Sequence, residues 1–144
     1  MQTAQLLGIK NLWEGRVLEV NIAQRLVLVR TTRADVWASF RPNQFLPAPA
    51  SKVTLCMRPE NIKIWPALAK PNSPNRYSGH IKREVARGSR YTLFFSLNET
   101  TSQAQPDLEI EVTAQEYAAM SQQQTTPNTW QISLDPTAIH LIAV

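Results

Sequence analysis

The charged residues that could hold a ligand or partner fall in two places. Arg58 and Glu60 flank Pro59, and Arg83, Arg87 and Arg90 share a short run with Arg76 and Lys82, opposed only by Glu84. A dense run of cations attracts phosphates, small oxyanions, acidic proteins or anionic headgroups. The net charge is only +4, however, and for so modest an excess the simpler reading is a solvated hairpin surface. Arg58 and Glu60 could form an ion pair at a strand end or contact another subunit. Exposed ion pairs contribute at most about 1 kcal/mol, so structural capping is the first reading there.

No residue is assigned to catalysis, to a cofactor or to a metal. His80 and His140 are the only histidines, and neither stands in a tight pattern with other ligands, which argues against zinc. Cys56 is the single cysteine, so no internal disulfide forms. It sits between Leu55 and Met57 and reads as a small packing residue, without the paired base that a nucleophile requires. The four glycines, Gly8, Gly15, Gly79 and Gly88, are too scattered to cradle a phosphate, and no Gly-x-x-x-x-Gly-Lys-Ser/Thr occurs. Trp13, Trp37, Trp65 and Trp130 read as core or interface anchors. Tyr91, Phe94 and Phe95 follow Arg90, a mixture that OB barrels use on single-stranded nucleic acid. Phe94 and Phe95 must point to opposite faces of a strand, so nucleic acid ranks last among the partners.

The elements that position these residues repeat. Val53–Ile64 lies under Trp130–Leu141 without a gap, with Leu55/Ile132, Met57/Leu134, Pro59/Pro136, Ile62/Ile139 and Ile64/Leu141 in register. Period-two patterning predicts strands at 16–20 and 25–30, as a hairpin about 21–24, then at 35–40, 52–57 and 61–65. The prolines of 41–51 predict a loop. The order recurs as 77–85 and 90–97 about a turn at 86–89, a polar loop at 98–106, then strands at 107–113, 129–134 and 138–143. One helix is predicted, where Thr113 and Glu116 have capping-box spacing and Tyr117 and Met120 can pack on a sheet.

The expectation is therefore an all-β chain of two tandem OB-type barrels with one short helix in the second. The first repeat covers 1–65, a proline-rich linker 66–75, and the second repeat 76–144. Each half has few large residues for a core, so either strands of one half complete the other or two small barrels pack tightly. With 43% hydrophobic and 18% charged residues the chain should fold. No apolar run is long enough to cross a bilayer, and the first residues lack a secretory signal. Asn98-Glu99-Thr100 is a sequon by coincidence on this reading.

At Met57-Arg58-Pro59-Glu60-Asn61-Ile62 the chain resembles the transport-associated OB-type (TOBE, MOP-like) domain of ATP-binding subunits in bacterial ABC importers. Leu6–Val17 is similar to the segment where such subunits leave the ATPase domain, and Gly79-His80-Ile81 through Gly88 to Leu97 resembles the family's second copy. The resemblance implies a cytoplasmic accessory domain, peripheral to the inner membrane through the transporter complex. Its partners would be the ATPase domain with its dimer mate, the permease indirectly, a solute or small oxyanion, a regulatory protein, and a second copy as homodimer. The alternative is a free-standing oxyanion-binding protein of the molybdate or sulfate type. The resemblance maps no ligand residue, no cofactor and no ATP-binding motif onto this chain.

Overall fold

The computed structural model describes residues 11–41, 48–98, 106–123 and 128–143. The opening segment up to residue 10, most of the proline loop (42–47), the end of the sequon with 99–105, and 124–127 lie outside the described residues. The chain runs β1 (Asn11–Asn21), β2 (Leu26–Thr31), β3 (Asp35–Ser39), β4 (Lys52–Met57), a 3-10 turn (Pro59–Asn61) and β5 (Ile62–Pro66). It continues with β6 (Arg76–Arg87), β7 (Arg90–Leu97), β8 (Leu108–Thr113), α1 (Ala114–Gln123), β9 (Trp130–Leu134), a 3-10 turn (Pro136–Ala138) and β10 (Ile139–Ala143). The all-β expectation with one short helix in the second half holds. None of the described helices is long and apolar enough to cross a membrane.

Two antiparallel sheets form, in the orders β10-β4-β1-β2-β3 and β5-β9-β6-β7-β8. Each draws four strands from one half of the sequence and its fifth from the other. β5 leaves the first half and pairs with β9, Ile62 opposite Leu134 and Ile64 opposite Ile132. β10 leaves the second half and pairs with β4 in the same register, Ile139 opposite Met57 and Leu141 opposite Leu55. The sequence repeat thus reappears as a repeated pairing. The compact units are Met1–Arg58 with Asp135–Val144, and Pro59–Leu134, so they are cut differently from the sequence order 1–65, 66–75 and 76–144.

Proline makes the crossover. Pro59 and Pro136 each open a 3-10 turn where a strand would otherwise continue. In the second copy Asp135 caps the turn, accepting from the Thr137 N–H at 2.9 Å and the Thr137 hydroxyl at 2.8 Å. Arg58 stands in that place in the first copy and has no acceptor to offer.

In the first unit Trp13, Val27, Val29, Val36, Ala38 and Leu55 are wholly buried, and the edge strands β3 and β10 lie close together, curling the sheet toward closure. In the second unit Leu93, Phe95, Ile110 and Ile132 are wholly buried, and β5 approaches β8. The segment 66–75 belongs to this unit. Asn75 exchanges bonds with Leu134, its backbone O accepting at 3.1 Å and its Nδ2 donating at 2.9 Å. Gln131 Nε2 donates to the carbonyls of Ala67 (2.7 Å) and Ala69. These bonds tie a proline-rich stretch along β9, where its composition alone suggested a stiff linker between the copies.

Both long hairpins carry the same device near their start. Gly15 and Gly79 sit where the partner strand crosses so closely that a Cβ would lie 2.5 Å from the Arg30 carbonyl O and 2.1 Å from the Ser96 carbonyl O. Three residues on, the register slips at Leu18, between Val17 and Glu19, and at Lys82, between Ile81 and Arg83. Such bulges add twist and bend the strand, which a small sheet needs in order to curl. Gly88 differs: its φ of +68° serves the two-residue turn between β6 and β7, and a Cβ there would meet open space. That turn is tighter than the expected 86–89, because β6 runs on through Arg87.

Gly79→Ala should therefore lower stability by about 1–3 kcal/mol or more through overpacking, against about 1 kcal/mol for the left-handed strain of Gly88→Ala. Urea midpoints of both variants check this, and an equal or reversed order would contradict the close-crossing account.

Candidate functional site

The register of the second sheet decides what the basic run can do. Arg83 stands opposite Phe94, Arg87 opposite Arg90, and Phe94 and Arg90 opposite Glu109 and Thr113 of β8. Side chains alternate along a strand, so Arg83, Arg87, Arg90, Thr92, Phe94 and Glu111 share one face. Each arginine has a neighbour on it. The Arg83 guanidinium lies 4.4 Å above the Phe94 ring, a cation–π arrangement. Arg87 Nε donates to Thr92 Oγ1 at 3.0 Å. Arg90 lies 3.9 Å from Glu111, both partly exposed. The three cations form a laced surface rather than a convergent cradle. Arg58 and Glu60 are exposed at their turn, with no ion-pair partner among the described residues.

The other face of β6 and its free edge bound a cavity of about 550 Å³. Its second wall is α1, which starts as its sequence predicts: the Thr113 N–H donates to Glu116 at 2.8 Å, and the Glu116 N–H donates to the Thr113 hydroxyl at 3.1 Å. The helix is held down by Met120, which is buried, and by Tyr117, stacked on Tyr91 with centroids 3.9 Å apart and planes 5° from parallel. The Tyr117 hydroxyl donates to the Glu84 carboxylate. That bond, then partial burial and the nearby negative charge, pushes the Tyr117 pKa up to about 12. Lys82 and Trp130 complete the lining, and the Trp130 indole N–H is buried with no partner among the described residues.

Asn128 closes one end of this cavity. With φ at +53° it turns its amide onto β6, Oδ1 accepting from the Ile81 N–H and Nδ2 donating to the Ile81 carbonyl, both at 2.9 Å. The first unit does the same with main chain. The Val17 N–H donates to the Ser51 carbonyl at 2.9 Å, and the Ala50 N–H donates to the Val17 carbonyl at 2.7 Å, with Ala50 at φ +70°. An asparagine side-chain amide in one copy makes the pair of bonds that the Ala50 N–H and Ser51 carbonyl make in the other. Sequence reading did not single out Asn128 or the Glu84–Tyr117 bond. The available signals were an asparagine after Pro127, a residue type that tolerates the left-handed region, and the lone acid within the basic run.

A second cleft, of about 360 Å³, is lined by Glu60, Lys63, Trp65, Glu111 and Glu116 among others. Two of its carboxylates are engaged, Glu111 with Arg90 and Glu116 with the Thr113 N–H, and the Trp65 indole donates to Ser133 at 2.9 Å. Ser133 is the repeat counterpart of Cys56. Cys56 is buried, and burial pushes its thiol pKa up, away from the reactive thiolate. Among the described residues no group of three or more His, Cys, Asp or Glu side chains could hold a metal ion.

No protein-family model matches the chain, and no curated protein sequence matches it. Solved structures do. The cytoplasmic molybdate-binding protein ModG, in a crystal form with molybdate bound, superposes with a TM-score of 0.74 over 94% of this chain and 96% of its own, at 12% identity. The likeness establishes the fold: two tandem OB-type, MOP-like domains, each with a five-stranded sheet.

Removing the acceptor in Glu84→Ala should return the Tyr117 pKa toward 10, the ordinary tyrosine value. Tyrosinate absorbance, compared with Tyr117→Phe to isolate this residue from Tyr77 and Tyr91, measures it. The stability this bond supplies is fully present below pH 10 and is lost as pH rises from 10 through about 12, because the folded state holds the proton longer than the unfolded chain.

Proposed function

We propose that this chain is a regulatory and architectural β module of an ABC importer's ATP-hydrolysing subunit. In this role it helps hold the ATPase dimer together as the nucleotide sites open and close, and offers a surface to a regulatory protein or solute. The observation that carries the reading is the Arg-Pro-Glu turn. This segment, through which the chain resembles the importer domains, is the point where one repeat passes its last strand to the other's sheet. It is therefore built into the fold and is not an isolated surface match. The lacing of Arg83, Arg87 and Arg90 by Phe94, Thr92 and Glu111 also favours a contact surface over a small-anion cradle. On this reading the chain is not itself an enzyme, needs no cofactor, and acts by making different contacts in the open and closed dimer.

A free-standing oxyanion-binding protein is the second reading, supported by the likeness to molybdate-bound ModG. Thermal melting with micromolar molybdate, tungstate or sulfate separates the two. A ligand of the native state stabilises it in proportion to ln(1 + [L]/Kd), so a Tm that rises with anion concentration would favour the second reading. The first reading expects no shift, no ATP hydrolysis by the pure chain, and recovery of an ABC ATPase and its permease when antibody against this chain is applied to detergent-solubilised membranes. Hydrolysis of ATP by the pure chain would sink the first reading.

A further inference from the structure

Among the described residues the outer edge of β6 is only partly covered. β9 pairs with Arg76–Gly79 and then ends, while β6 runs on to Arg87. The hairpin closes with Arg87 opposite Arg90 across a two-residue turn, which makes that pair hydrogen-bonded. Alternation back along β6 then aims the N–H and C=O groups of Glu84 and Ala86 away from β7. Among the described residues no strand pairs with them. We propose that this edge, Lys82–Arg87, docks an extended acidic segment of a partner protein, which adds as a strand beside β6.

Three observations converge on that occupant. At the equivalent place in the first unit the bonds to Val17 are made by main chain, at Ala50 and Ser51. In the second unit the Asn128 amide makes the same two bonds to Ile81, and among the described residues no strand lies along the edge beyond it. The position is thus shaped for a peptide backbone. The cavity of about 550 Å³ between this edge and α1 gives room for the side chains of an added strand. Charge sets the partner's chemistry. Lys82, Arg83 and Arg87 are exposed on this stretch of β6, Arg83 over Phe94 and Arg87 bonded to Thr92, and the one acid, Glu84, accepts from the Tyr117 hydroxyl. The same charges disfavour a second copy, because two identical basic edges would repel. The inference goes beyond the importer reading and does not depend on it.

The test starts from a display library of random nine-residue peptides selected on the immobilised full chain. Recovered peptides should be enriched in Asp and Glu. A synthetic winner should bind at least tenfold more weakly to Lys82→Glu and to Ala86→Pro. Proline at 86 removes an outward N–H while sparing the ladder to β7. A copy of the peptide N-methylated at alternate amides should lose binding to the wild-type chain, a readout that does not depend on any variant folding. The proposal is overturned by winners without acidic enrichment, by N-methylated peptide that binds unchanged, or by sedimentation showing that the chain pairs with itself through this edge.

Discussion

Four short strands do not close over a core, and each half of this chain gives only four to its own sheet. The fifth comes from the other half, in a pairing repeated residue for residue: Ile62 with Leu134, and Ile139 with Met57. Most of the remaining structure follows from this exchange. It requires a sharp break after β4 and after β9, which Pro59 and Pro136 supply. It requires the long hairpin strands to bend, which the bulges at Leu18 and Lys82 and the close crossings at Gly15 and Gly79 supply. The second unit is one continuous stretch, Pro59–Leu134, inserted between the two pieces that make the first.

The copies diverge in what covers the bent strand. Main chain near Ser51 closes the edge in the first. In the second, α1 stands between β8 and β9, and a single asparagine amide makes the corresponding two bonds. The helix is short, and its own hydrogen bonds hold it only weakly in isolation. Met120 beneath it, the Tyr117–Tyr91 stack and the Glu84 carboxylate fasten it instead.

Much of the scaffold was legible because it is written in local patterns. Period-two runs located most strands to within a few residues, although β1 begins at Asn11, five residues before the expected start, and the capping box located α1. The aligned prolines marked the turns where strands change sheets. What stayed hidden depends on contacts between residues distant in sequence. The segment 66–75 reads as a linker by composition, and only Gln131 and Leu134, far along the chain, tie it down. The basic run reads in sequence as a solvated hairpin surface, with an anion or partner site as the alternative. Cross-strand register, invisible to composition, gives each of its three marked arginines a partner on its own face. Asn128 has no local pattern at all, since its role is defined by Ile81 on another strand.

The exchange also orders events in time. Pro59–Leu134 is continuous in sequence, so every strand of the second sheet is available once Leu134 has been made. The first sheet is different: its edge partner, β10, is made only after the whole of Pro59–Leu134, although β1 to β4 precede that segment. Until then β4 carries a bare flank beside Leu55 and Met57, an apolar edge of the kind that invites mispairing. Pairing across such a separation is slow, because a long loop must close before its contacts form. The half of the molecule translated first is thus the half finished last, and its vulnerable interval lasts as long as synthesis of the second.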